Sequence, residues 1–356
     1  MFKRIVIIIL ACLGLVACRK EILHNASEVT VIEYNISPNF PEILGTWTKV
    51  TPNEILDVRT LEVFNNSMYV GGGFESTSGD IKAIAKLDAS ESFLQVYAGF
   101  IAYDGINDLA TYNGDLMVGG RYGLYTGVNK ISLSRMDLSE VFYHVQFSES
   151  ISDYILSINY SNSDLLVTGS FAPGASSSVI SSNVELLQSY IPVGMAGVNV
   201  DIRSSTEHNG DWYICGGNDD LFMWNGSSWL PVTYNNSYWN DHLLSVISFN
   251  SELYLLGDFN NAYALKKMNA TGVWEDVIEI TKAGTTTDYV GFKILDNELY
   301  VMSENLQVDG NTPSGVVKFD GADWTTVGVL NAEARDIAKF NTKLYIATNN
   351  GIYRYD

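Results

Sequence analysis

Carboxylates are the most plentiful reactive groups in this sequence, with 41 Asp and Glu against 21 Lys and Arg. Cleaving a glycosidic bond needs two of them converging on one linkage. Asp219-Asp220, Asp241 and Asp309 could do that only if loops far apart in the chain met. Taken singly they read as solvated loop acids. Asp309-Gly310-Asn311 begins like a calcium loop, yet the remaining ligands and the terminal Glu are missing. The four histidines, His24, His144, His208 and His242, share no metal-ligand spacing. No Gly-x-Ser-x-Gly elbow and no phosphate-cradling loop occurs. The sequence therefore calls for no cofactor and no metal. A different kind of candidate is Tyr238-Trp239, set among asparagines and followed by Asp241. Flat rings beside amides and a carboxylate suit stacking on a sugar or bonding to a protein. The competing expectation is that Trp239 folds back as a lid over a sheet edge.

The elements that must position these residues are repeats. Phe64-Asn65-Asn66-Ser67-Met68-Tyr69-Val70-Gly71-Gly72 reads as a strand end, a tight turn and a second strand stopping at glycine. It recurs around Met117, Leu166, Tyr213, Tyr254, Tyr300 and Tyr345, at spacings of 41 to 49 residues. A third strand ends on an apolar residue before Asp or Asn, as at Leu87-Asp88 and Phe319-Asp320. A fourth carries an aromatic-x-x-Val pattern, as at Trp47/Val50 and Trp324/Val327. Four strands in such a period predict an all-β propeller, because one small sheet buries both faces only between two neighbours. The aromatic column begins at Trp47, ahead of the first turn, and the chain stops after a third strand. That offset predicts seven four-stranded blades, with Leu44 to Val50 pairing with Ile352 to Tyr355 to complete the last blade and seal the ring.

The order strand, turn, Tyr-x-x-Gly-Gly strand, aromatic-Asp strand and Trp strand resembles the kelch family over residues 43–356. The resemblance implies that first strands line a central channel. Arg59, Arg203 and Arg335 share one first-strand column, with Asp108 and Asp336 in the next. They are expected at one mouth, as ligand-binding groups or, the favoured expectation, as an ion network holding itself together. Copper chemistry found among kelch-like proteins needs a cysteine, tyrosines and histidines together, a set this chain lacks. Cys215 lies in a repeat strand where other copies place Gly119 or Leu256, which marks it as core.

Ahead of the repeats, Lys3 and Arg4 precede thirteen uncharged residues, Ile5 to Ala17, and then Cys18. Such a segment is an export signal, too short to span a bilayer. Leu15-Val16-Ala17-Cys18 resembles a bacterial lipobox, which implies acylation of Cys18 and anchoring by lipid alone. The expected organisation is a signal over 1–17, a lipidated cysteine and tether over 18–42, and the propeller over 43–356. With Cys12 and Cys18 spent, Cys215 cannot form an intramolecular disulfide. A net charge of −20 repels phosphate backbones, so nucleic acid is not an expected partner. The function expected is a monomeric, lipid-anchored binding or scaffolding module for a protein or glycan at a bacterial envelope, in the outer membrane. The alternative is a propeller enzyme, a hydrolase or lyase of glycans, with carboxylates from loops of different blades.

Overall fold

The computed structural model describes residues 21–25, 28–32, 45–52, 55–75, 82–96, 100–124, 130–144, 154–161, 164–170, 178–181, 191–192, 202–216, 220–234, 242–259, 262–282, 290–303, 306–308, 315–330 and 332–356. Among them every regular element is a strand. Hairpins come from the repeated turn. Asn65 and Asn66 have φ of 47° and 57°, Asn113 and Gly114 have 50° and 84°, and Asn209 and Gly210 have 55° and 92°. Two consecutive left-handed residues match the right-handed twist of paired strands, and Asn and Gly reach that region most easily.

The Asp or Asn after each third strand has an equally local cause. Asp88 Oδ1 accepts from Ser90 N (2.8 Å) and Ser92 N (2.9 Å). Asn225 Oδ1 accepts from Ser227 N and Ser228 N, and Asp320 Oδ1 from Ala322 N and Asp323 N. The side chain replaces the missing ladder and bends the chain back. The fourth strand can then pair, Leu87 opposite Phe93, Trp224 opposite Trp229 and Phe319 opposite Trp324.

The fold is an all-β propeller of antiparallel blades. Six sheets have four strands, and their inner strands are Val58–Phe64, Phe100–Tyr112, Tyr154–Ser161, Ile202–His208, Val290–Leu295 and Ala334–Phe340. The expected seven four-stranded blades are corrected to these six. The sheet that starts at His242–Phe249 has five strands, because Leu306–Val308 crosses over from the next repeat and pairs with Ile280, Thr281 and Lys282. The period found in the sequence counts turns and is blind to a strand added from a loop.

The expectation of a ring sealed by strand pairing is corrected too. Trp47–Lys49 pairs with Tyr353–Tyr355, Trp47 opposite Tyr355, and this completes one sheet. Each backbone ladder ends at its own sheet, so no ring is closed by hydrogen-bonded strands among the described residues. Consecutive sheets meet through side chains. Leu61, Met68 and Val70 of the first sheet pack with Ala338, Tyr345 and Ile352 of the last. Tyr69 and Ile84 pack with Ile106 and Leu116 of the second. Each fully buried aliphatic side chain here stabilises by about 1.5–3 kcal/mol. Gly71 permits the close approach, since a Cβ there would lie 2.6 Å from Ile106 Cγ2. Ahead of the blades, Glu21–Asn25 and Glu28–Ile32 form a two-stranded hairpin in the stretch expected to be a tether.

Candidate functional site

The inner strands follow one another around a central cavity of about 990 Å3. Six of these strands break register with their partners at the same position before the turn, leaving Arg59, Asn107, Leu156, Arg203, Leu244 and Arg335 as the extra residue, and Phe100–Tyr112 has a second break between Ala102 and Gly105. All six line the cavity. The inner strand Val290–Leu295 pairs without a break. A bulge twists the strand and re-aims its side chain, so the repeated irregularity lines one level of the cavity with long side chains, here called its mouth.

Arg59 and Arg335 are brought together by Asp57. Arg59 Nη2 lies 2.7 Å from Asp57 Oδ2, and Arg335 Nη1 pairs with Asp57 Oδ1. Arg335 Nε also donates to Glu333 Oε1 at 3.1 Å, and Arg59 Nη1 to Asn107 Oδ1 at 2.7 Å. Asn107 in turn donates to Ile155 O at 2.8 Å. Burial opposes the ionised form of Asp57, but hydrogen bonds from Arg59 and Arg335 outweigh it and hold its carboxyl below the ordinary value. Both guanidiniums are therefore fixed in place.

One residue deeper, the column Thr60, Asp108, Ser204 and Asp336 serves the backbone. Thr60 Oγ1 accepts from Leu109 N (3.2 Å), Asp108 Oδ2 from Ile158 N (2.6 Å) and Ser204 Oγ from Val246 N (3.2 Å). Asp336 Oδ2 accepts from Leu61 N at 2.7 Å. In each case one sheet's side chain satisfies an inner-strand N–H of the next, a donor that no further strand can reach. Below, Glu62 Oε1 accepts from Thr111 N, and Lys293 Nζ lies 3.0 Å from Asp336 Oδ1. Burial pushes the Asp108 carboxyl up to about 7 and raises Glu62 as well. Burial alone would lower Lys293, yet Asp336 and Glu62 outweigh it and hold the ammonium above its ordinary value.

The opposite wall is different. Around Ile202–His208 it is hydroxyl-lined, with Ser204 Oγ and Ser245 Oγ 3.0 Å apart and Asn159 Nδ2 donating to Ser157 Oγ and Ser205 Oγ. Arg203 projects there, three inner strands from Arg59 in one direction and three from Arg335 in the other. It is exposed and has no ion partner among the described residues. Of the three arginines the sequence put in one column, the structure thus pairs two and leaves the third across the channel.

Cys18, Tyr238, Trp239 and Asp241 lie outside the described residues. Asp57, Glu62, Asn107, Lys293 and Glu333 were not legible as site residues. The usable signal was an acid two positions before the arginine, Asp57 before Arg59 and Glu333 before Arg335; Asp201 has the same spacing to Arg203 and lies outside the described residues. His208 is buried, with Nδ1 2.9 Å from Ser248 Oγ and its ring edge-on to Tyr213. Cys215 is buried and its thiol is pushed up by burial. No group of three or more His, Cys, Asp or Glu is placed to hold a metal among the described residues.

No family model matches the chain, and no curated protein does, so the kelch resemblance has no match behind it. Solved structures share the fold. YCF48 bound to D1 peptide aligns with a TM-score of 0.57 at 9% identity, covering 89% of this chain and 97% of that one. A catalytically inactive H270A virginiamycin B lyase from Staphylococcus aureus with quinupristin aligns at 0.58 and 8%, over 87% and 98%. The WD40 propeller domain of Doa1 aligns at 0.56 and 11%, over 87% and 96%. At such identities the likeness establishes a β-propeller and nothing finer.

Proposed function

We propose that this chain is a binding module, held at a bacterial envelope by lipid on Cys18, that presents its channel mouth to a protein partner. The observation that carries the reading is how the channel carboxylates are used. Asp108 and Asp336 occupy the same column as Thr60 and Ser204, and all four satisfy backbone N–H groups of the next sheet. A hydroxyl does that work as well as a carboxylate, so acid–base chemistry is not what the position selects. The mouth above is open, polar and rigidly braced, as a recognition surface requires. A protein is favoured over a glycan because Phe292 and Tyr160 are the only aromatic residues among the described ones lining the channel, which gives a sugar few faces to stack on. Propellers of this fold with a bound peptide, such as the YCF48 complex, support the choice.

The test is a photo-crosslinking residue placed at Leu244 in the mouth and, separately, at Leu138 on an outer hairpin, where the side chain is 63% exposed. In the intact cell, one discrete protein adduct at Leu244 and none at Leu138 is the expected result. Equal labelling at both sites sinks the reading. Anchoring is read separately by Cys18→Ala, which is expected to leave the membrane fraction or to stall before signal removal.

A further inference from the structure

We infer that Arg203 is the anchor of a carboxylate subsite in the channel mouth, and that its ligand is a peptide segment carrying a single acidic group beside apolar side chains. This rests on the binding-module reading and names what the module binds. The charges at the mouth are unequal in their freedom. Arg59 and Arg335 are taken up by Asp57 and Glu333, and Lys293 by Asp336. Arg203 alone of these cations is exposed to the cavity without an ion partner among the described residues. A planar guanidinium offers two parallel N–H donors, a geometry that fits a carboxylate.

Its surroundings fix the rest. On either side around the ring, the equivalent bulge positions hold Leu156 and Leu244, both partly exposed in the cavity. Behind it run the hydroxyls of Ser157, Ser204 and Ser245, tied to Asn159, to Val246 and to one another, which keep that wall polar. An acid flanked by apolar residues meets a complementary surface there, with charge at the centre and hydrocarbon to both sides. The ligand must also be short of charge. The whole protein carries −20, so a polyanion is repelled over its length, whereas one carboxylate within a Debye length, about 8 Å in physiological salt, responds chiefly to Arg203.

The experiment uses the full chain in detergent and three fluorescent peptides that differ at one position, Leu-Glu-Leu, Leu-Gln-Leu and Leu-Lys-Leu within a Gly-Ser frame. An acidic oligosaccharide, oligogalacturonate, serves as a fourth probe. The expected result is that the Glu peptide binds about tenfold or more tighter than the Gln peptide, the scale of one charge-assisted hydrogen bond. That preference should vanish in Arg203→Gln and partly return in Arg203→Lys. If Arg203→Gln fails to fold, the Glu-to-Gln ratio in the parent still decides. An unchanged ratio in a folded Arg203→Gln, or no preference in the parent, overturns the subsite. Oligogalacturonate binding through Arg203 while the peptides do not bind overturns the peptide assignment and leaves a binding module standing. Failure of all four probes overturns the subsite, and only the crosslinking result at Leu244 then speaks to the module itself.

Discussion

Glu91 accepts a hydrogen bond from Tyr345 Oη at 2.9 Å and pairs with Arg354, across 254 and 263 residues of chain. The hairpin of the first sheet thereby latches onto the last. Glu140 does the same one sheet on, accepting from Tyr69 Oη at 3.1 Å and pairing with Lys86. Both glutamates sit at positive φ, 61° and 59°, where the corresponding hairpin of the five-stranded sheet has Gly272 at 79°. A left-handed non-glycine residue costs about 1–2 kcal/mol, and the latch offsets it.

Glu91→Gly is therefore expected to remove strain and latch together. Losing the acceptor of a buried phenol costs about 1–3 kcal/mol, so a net loss of about 1 kcal/mol is expected. Glu91→Gln keeps an acceptor for Tyr345 and should lie closer to the parent. Urea midpoints of the two variants check the order. A Glu91→Gly protein more stable than the parent would mean that the latch contributes nothing.

Asp336 carries more than any other described side chain in the channel. It accepts from Leu61 N, Ile337 N and Thr60 Oγ1, and it neutralises Lys293. Asp336→Ala leaves a bare Leu61 N–H and a part-buried Lys293 ammonium that keeps only Leu61 O and the nearby Glu62, a type of loss that costs about 1–3 kcal/mol. Adding Lys293→Met should recover part of it, because the orphaned charge goes with the lysine. Equal stability of the single and double variants would contradict the pairing.

For Asp108 the sign runs opposite to that of a salt-bridged acid. Its folded value of about 7 lies above the ordinary 3.8, so between those limits the folded protein holds a proton that the unfolded chain has released. Stability from this group is complete below the unfolded value and is lost as pH rises through the folded one. Glu62, raised by burial, acts in the same sense. Thr60 shows that a hydroxyl can fill the column, so Asp108→Thr should fold. Relative to the parent, the variant is expected to gain stability from pH 5 to about pH 7 and to level off by pH 8, by a few kcal/mol at most. Paired thermal melts across that range measure it, and a constant difference would refute the cause given.

Much of this was legible because the turns are spelled in the sequence. Asn-Gly and Asn-Asn with a following Tyr-type strand gave the repeat, and the distance from turn to bulge is constant, so Arg59, Arg203 and Arg335 fall into line by residue spacing alone. What separates them was hidden. Asp57 precedes its strand, outside every column, and it joins Arg59 to Arg335. Leu306–Val308 was hidden for a similar reason, since a strand lent to the neighbouring sheet leaves no mark on the period. Local chemistry repeats with the chain, whereas partnerships across the ring depend on distances that the repeat does not encode.

The turn at Asn341-Thr342 shows the cost of one off-pattern residue. Asn341 and Thr342 have φ of 48° and 68°, the conformation that Asn113-Gly114 and Asn209-Gly210 adopt with glycine in second place. Thr342 is exposed, so packing does not account for its presence. A β-branched residue is strained in the left-handed region, and about 1–2 kcal/mol is recoverable by removing the side chain. Glycine adds freedom to the unfolded chain worth about 0.5–1 kcal/mol. Thr342→Gly should therefore stabilise by about 0.5–1 kcal/mol, the difference between those two terms. The reverse exchange, Gly114→Thr, should cost a similar amount, because a Cβ at Gly114 meets nothing within 4 Å and only the backbone is at issue. Denaturant midpoints that shift in opposite directions with an unchanged slope would confirm it. A destabilised Thr342→Gly would show that this turn is held by something other than its own dihedral angles.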